Sequence, residues 1–206
     1  MSPDEATRLA LTTLDTYVAS LPDGLESYSE CRATGATFRN LLASAKLPLG
    51  VGLPPALEKW IRAQPSENEW VPVVHLCGLH AAAYDCMFAQ AGGMDAYLEW
   101  TFERNKAMVA MPIYAPLLAT STPEFFLTAF RARWSVFYRG ISFDVVRVEK
   151  NAATLRLSYP AYCWPEISQL SLGVALRAVL ATNTKTLSIT STEISPSASQ
   201  YDLQWS

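Results

Sequence analysis

From Ile141 to Trp205 the chain reads as strand, strand, helix, strand, strand, and this order constrains the fold more than anything else in its 206 residues. Ile141, Phe143 and Val145 share one face; the apolar phase then shifts to Val146 and Val148, which predicts a bulge or burial on both sides. Ala153, Leu155, Leu157 and Tyr159 alternate with Thr154, Arg156 and Ser158, and Lys150, Asn151 and Ala152 form the intervening hairpin loop. Pro165 stands at a first helical position with Glu166 in the first turn, where its charge favours the backbone dipole. Ile167, Leu170, Val174 and Ala178 then recur at helical spacing. Leu187 with Ile189, and Tyr201, Leu203 and Trp205, flank the turn-forming run Ser195, Pro196, Ser197, Ala198, Ser199 and close a second hairpin. The expected class is α+β: an α/β sandwich in which helices cover an antiparallel sheet.

Upstream the pattern is helical. Ser2 is the expected cap of a helix beginning Pro3, Asp4, Glu5, with Ala6, Leu9, Thr13, Leu14, Tyr17 and Leu21 as its apolar stripe. Pro22, Asp23 and Gly24 end it, and the polar stretch from Leu25 to Arg32 has no assignable element. Helices follow over 37–45, 56–63, 72–90 and 94–109, with a loop from Leu47 to Pro55 and a break at Gly92 and Gly93. The strongest helix starts at Thr122 as cap, with Pro123 and Glu124 in its first turn, and stops at Gly140. Phe126, Phe130, Trp134 and Phe137 run along one side of it. The chain is read as one domain: a helical extension over 1–24, a helical layer over 33–140 and the sheet layer over 141–206.

Composition excludes several classes. A net charge of −3 leaves no overall basic field for a phosphate backbone, although Arg131, Arg133, Arg139 and Arg147 form a local basic patch. No charged start and apolar run of a signal peptide is present, and the apolar stretch near Val73 to Ala83 contains His75 and His80 and is too short to span a membrane. The expected location is cytoplasmic. Cys31, Cys77, Cys86 and Cys163 lack paired spacing and read as free thiols.

Candidate chemistry is sparse. The only two histidines, His75 and His80, lie five residues apart, about 140° round a helix, so they do not share a metal as an i, i+4 pair would. Cys77 and His80, at i, i+3, face together, and offer a nucleophile and base or two zinc ligands only if further groups come from elsewhere. Glu99 and Glu103 face together at i, i+4, but Arg104 and Lys106 nearby make that region read as a solvated charged face. Glycines 50 and 52 sit in a proline-rich loop with no Lys-Ser/Thr pair after them, so no phosphate loop is present.

The run from Phe126 to Trp205 resembles a family of proteins of unknown function common in myxobacteria, and through it the four-vinyl-reductase domain, the domain associated with haem nitric-oxide sensors, and the TRAPP vesicle-tethering subunits. The residues that carry the resemblance are AFRARWSVFYRG, SFDVVRVEKNAATLRLSYP, LSLGVALRAVLA and YDLQW, with ATGATFRNLLAS and LPPALEKWI fitting more loosely. It implies a helical layer on an antiparallel sheet, assembly as a homodimer, and in some members an apolar molecule held inside. Two departures limit it. Residues 182–205 contain no Cys or His, so a zinc site near the final hairpin is absent. Tyr28, Ser29 and Arg32 do not reproduce the alternating Tyr, Ser and Arg of haem nitric-oxide sensors, so haem gains no support and no cofactor is expected.

Taken together, the residues and the resemblance point to a non-enzymatic ligand-binding or scaffolding domain in a regulatory role, taking a small apolar molecule or a protein partner. Phe126, Phe130, Trp134 and Tyr138 are the candidate ligand-facing residues, with His75 and His80 as polar contacts. Packing of the same rings on the sheet is the competing reading, because aromatic residues dominate core burial. The N-terminal helix, 3–20, is the candidate surface for a protein partner. The alternative is an enzyme or metal-binding protein that uses the Cys77/His80 face.

Overall fold

The structure, a computed structural model, describes residues 10–49, 52–111, 118 and 121–206. It divides into two compact units, Met1–Ala96 and Tyr97–Ser206. The expected cap at Ser2 and the helix start at Pro3 fall outside the described residues.

In the first unit, helix α1 (Thr12–Ser20) packs on α4 (Val73–Met87). Ala10 and Leu11 are not helical, and the described helix begins at Thr12. Its opening is set from elsewhere in the chain: the buried Asp85 carboxylate of α4 accepts the backbone N–H groups of Thr13 (2.9 Å) and Leu14 (3.0 Å), two donors that an α-helix leaves without an internal partner. Leu14, Tyr17 and Leu21 are buried, so the described part of this helix presents no exposed apolar stripe to a partner.

The polar stretch after α1 resolves into a short 3₁₀ turn over Gly24–Glu26 and then strand β1 (Arg32–Thr34). This strand pairs antiparallel with β2 (Trp70–Pro72), Ala33 opposite Val71. Both strands are three residues long, too short for alternation to reveal them. Helix α2 (Gly35–Leu42) follows directly, and a Cβ on Gly35 would lie 1.9 Å from the Ser66 carbonyl oxygen, so only glycine permits this approach. Helix α3 (Pro55–Arg62) and α4 complete the unit; β2 takes Pro72, where the predicted fourth helix began, and α4 ends at Met87, before the predicted Gln90.

Helix α5 (Gly93–Val109) begins at the second glycine of the pair Gly92 and Gly93, both at positive φ, where the break is predicted. In the second unit, α6 (Pro123–Phe137) is capped by Thr122, whose Oγ1 accepts the Phe125 N–H (3.2 Å). It ends three residues before Gly140, because Tyr138 and Arg139 are extended and form the short strand β3.

The sheet of this unit runs β4 (Ser142–Glu149), β5 (Ala152–Ser158), β7 (Ala198–Trp205), β6 (Leu187–Ser195) in spatial order, antiparallel throughout. The phase shift in the first strand is a bulge: Val145 opposes Leu155 and Arg147 opposes Thr154, leaving Val146 unpaired and exposed. Phe143, Leu155, Leu157, Tyr201 and Leu203 point to the buried face. Helix α7 (Glu166–Leu180) packs on the sheet through β6. Gly173 lets Tyr201 approach, and the Tyr201 phenol donates to the Gln169 carbonyl (3.2 Å). The α+β class with helices over an antiparallel sheet is therefore what the chain forms. Among the described residues no helix is long and apolar enough to cross a membrane.

Candidate functional site

The structure gathers four of the six predicted ligand-facing residues in the second unit. Phe126 stacks on Phe130 (ring centroids 5.5 Å apart), and Phe130 meets Trp134 edge-on at 5.5 Å. Trp134 stacks on Tyr138 (4.4 Å) and on Phe143 of β4 (4.9 Å), and Tyr138 meets Trp164 edge-on (5.7 Å). Trp134 is only 4% exposed, and its indole N–H donates to the Ile141 carbonyl (2.8 Å). That residue is thus packed core with its polar atom satisfied, as buried tryptophan requires. Phe126, at the start of α6, lines a shallow cleft with Pro123, Val179, Leu180 and Asn183. The far end of the ridge opens to solvent: Phe137 is 38% exposed. Of the expected basic patch, Arg131 pairs with Asp144 and Arg147 with Glu149, all four at the surface.

His75 and His80 belong to α4 of the first unit, buried at 3% and 8% exposure. The ring of His75 is fully committed. Its Nδ1 accepts the Trp60 indole N–H (2.9 Å), which requires the proton to sit on Nε2, and Nε2 donates to the Leu25 carbonyl (3.0 Å). This is a neutral imidazole used as a structural bridge. Burial pulls its pKa below the ordinary imidazole value, with Lys59 adding to the shift, while the Leu25 bond and Glu26 oppose it.

The sign of the resulting pH dependence follows. Below the unfolded value of about 6.5 the unfolded chain binds a proton that folded His75 does not, so stability rises with pH there and falls on acidification. Wild type should therefore lose denaturant resistance between pH 7 and pH 5, and His75→Gln should lose less over the same interval in urea titrations. Equal losses would show that His75 does not carry the dependence.

Cys77 lies 1% exposed one turn before His80, and Cys86 has its thiol pushed up by burial and by the Asp85 carboxylate. The Cys86 environment makes a thiolate nucleophile harder to form. No group of three or more His, Cys, Asp and Glu side chains among the described residues could hold a metal ion, so Cys77 and His80 have no third ligand there.

One polar group in the second unit contradicts the sequence reading. Arg104, expected on a solvated face with Lys106, has its Nε and Nη1 buried and without a hydrogen-bond partner among the described residues, although the residue as a whole keeps partial exposure. Lys106 does sit at the surface, paired with Glu103 (3.2 Å). The Arg104 guanidinium lies 4.8 Å from the Trp100 ring. Burial pulls its pKa down, and Tyr97 and Tyr138 act against that shift. Tyr97, Thr101 and Arg104 stand at i, i+4 and i+7 on one face of α5, a spacing visible in the sequence. The Thr101 Oγ1 is also buried and unpartnered. Tyr97 bonds the Ser171 hydroxyl of α7 (2.8 Å), and Ser171 donates onward to the Ile167 carbonyl (2.7 Å), so the phenol is the donor of the first bond. One turn before Ser171, the Ser168 Oγ is buried without a partner.

No family model matches the chain, and no curated protein matches it. Solved structures do. The Fe(II) unliganded H-NOX protein from K. algicida aligns with a TM-score of 0.54 at 13% identity, over 84% of this chain and 96% of that one. A single-substitution mutant of that protein gives a TM-score of 0.55 at 14% identity, with the same coverage. A structure described as modulating heme redox potential through protein-induced porphyrin distortion gives 0.53 at 9% identity, over 83% of this chain and 99% of that one. At these identities the likeness is one of fold: the chain is similar to H-NOX proteins in the course of its backbone.

Proposed function

We propose that this chain is a non-enzymatic domain that binds a small, largely apolar molecule in a regulatory role. The observation that carries the reading is the H-NOX-like fold, matched over 84% of the chain, since one such structure is described by its heme and another by its Fe(II) state. The unsatisfied donors of Arg104, Thr101 and Ser168 support it, because ligand sites carry a few placed polar groups. The step from fold to role is analogy.

His75 is not available as an axial ligand of haem. An axial ligand needs a ring nitrogen with a free lone pair, and both nitrogens of His75 are taken within the protein. Arg32 donates to the Ser29 carbonyl (2.9 Å) in its own turn and to the Trp70 carbonyl (3.3 Å) of β2. No haem chemistry is assigned to the chain.

Native mass spectrometry of the freshly purified protein tests the proposal and reads oligomeric state at the same time. A reproducible small organic mass, released on denaturation, is the expected result. A protein that emerges empty from several preparations, and whose melting temperature no small molecule shifts, would overturn it.

A further inference from the structure

We propose that Arg104 is an oxyanion anchor, holding the carboxylate or phosphate group of the molecule this chain binds, with the Thr101 and Ser168 hydroxyls as auxiliary donors. The inference deepens the ligand-binding reading and rests on it. It starts from an imbalance of donors and acceptors. Buried side-chain polar atoms in folded proteins nearly always find a partner, and each exception demands an explanation. Here, beside the Trp164 Nε1, the orphans are the Arg104 Nε and Nη1, the Thr101 Oγ1 one turn away on the same face of α5, and the Ser168 Oγ one turn from the serine that α5 already engages through Tyr97.

The charge compounds the problem. A guanidinium keeps its proton in a protein, so Arg104 places a full positive charge where water reaches two of its nitrogens poorly. Among the described residues its ion-pair partners number none: the acid next to it, Glu103, is taken by Lys106, and the groups that act on Arg104 are two phenols and the face of Trp100. One phenol, Tyr97, has its proton committed to Ser171. A buried charge without a counter-charge carries a large desolvation penalty, which an anion removes.

The geometry of the missing partner is set by the donors. Each edge of a guanidinium is a planar fork that matches two oxygens of a carboxylate or phosphate, and the unsatisfied Nε and Nη1 stand on two different edges of it. The Trp100 ring lies 4.8 Å from this charge and 5.8 Å from the Tyr97 ring, so an ionic hydrogen bond forms in a low-dielectric setting where it is stronger than in water. These rings also offer apolar surface to the body of an organic acid. The ligand class is therefore a small molecule with an acidic head, in place of a purely apolar one.

The test uses the full chain, with melting temperature followed in sodium benzoate and in inorganic phosphate, each against sodium chloride at equal ionic strength. Wild type should show a saturable rise with at least one of the two; a response to benzoate alone assigns an organic carboxylate, and one to phosphate assigns a phosphate head. Arg104→Met should melt no lower than unliganded wild type, because it removes an uncompensated buried charge, and should lose the oxyanion response. Arg104→Lys, which keeps the charge but not the fork, should retain a response at least tenfold weaker in half-saturating concentration. If Arg104→Met fails to fold, the fold itself already partners Arg104 and the proposal is overturned. Equal responses in Arg104→Met and wild type overturn it too. Should native mass spectra show the same cargo in both proteins, the anchor falls while the ligand-binding reading stands; a wild type that is empty and indifferent to both anions removes both.

Discussion

Replacing Trp134 by alanine is expected to lower folding stability by about 3–5 kcal/mol, the range for removing a large buried aromatic side chain. Three features place Trp134 in that range. The ring is 4% exposed, it lies between Tyr138 and Phe143 in near-parallel contact, and its N–H satisfies the Ile141 carbonyl just before β4 begins. Loss of the side chain leaves a cavity among aromatic neighbours and an unpartnered carbonyl at the junction of α6 with the sheet. Urea denaturation with fluorescence detection measures the effect. Trp134→Phe should recover most of the packing and lose the hydrogen bond, for which about 1 kcal/mol is the usual contribution. A Trp134→Ala protein as stable as wild type would mean that the residue lines an open pocket and that the core reading is wrong.

Asp85→Ala is expected to be the most damaging single change in the first unit, at about 2–3 kcal/mol, the range for losing charge-assisted hydrogen bonds to buried donors. The carboxylate holds the opening amides of α1 across 71 residues of sequence, and it also meets the positive end of that helix's dipole. Hydrogen exchange gives the more specific readout: amides within 12–20 should exchange faster in the variant than those of α7. Asp85→Asn keeps one acceptor oxygen and should fall between alanine and wild type. Uniform acceleration across the chain would show that Asp85 acts on global stability and not on α1.

These residues also show where sequence reasoning reaches. The bulge at Val146 was legible because an alternating pattern that slips by one must either bulge or turn its apolar side chains outward. The Thr122 cap, both hairpins and the α7 helix were legible for the same reason, since each rests on residues within one or two turns of one another. Asp85 was not: within the sequence it is one acid on an apolar helix, and nothing local says that it caps a helix 71 residues earlier. Strands β1 and β2 escaped because three residues cannot display a period. Arg104 was misread because charge is normally solvated, and its neighbours Glu103 and Lys106 are. The i, i+4, i+7 stripe of Tyr97, Thr101 and Arg104 was present, but spacing alone assigns residues to a face without saying whether that face is wet.

The position of the bulge has a consequence for how the chain survives at high concentration. Strand β4 is an edge of its sheet, and Val146 and Val148 are 53% and 38% exposed on it. A straight edge strand with two exposed valines is a template on which another chain can add a strand, and such additions propagate into fibres. Val146 breaks the row of evenly spaced backbone donors and acceptors in the middle of that edge, and Arg147 and Glu149 set opposite charges beside it. One extra residue in the strand is thereby a safeguard against fibrillar self-association, placed beside the two exposed valines of that edge.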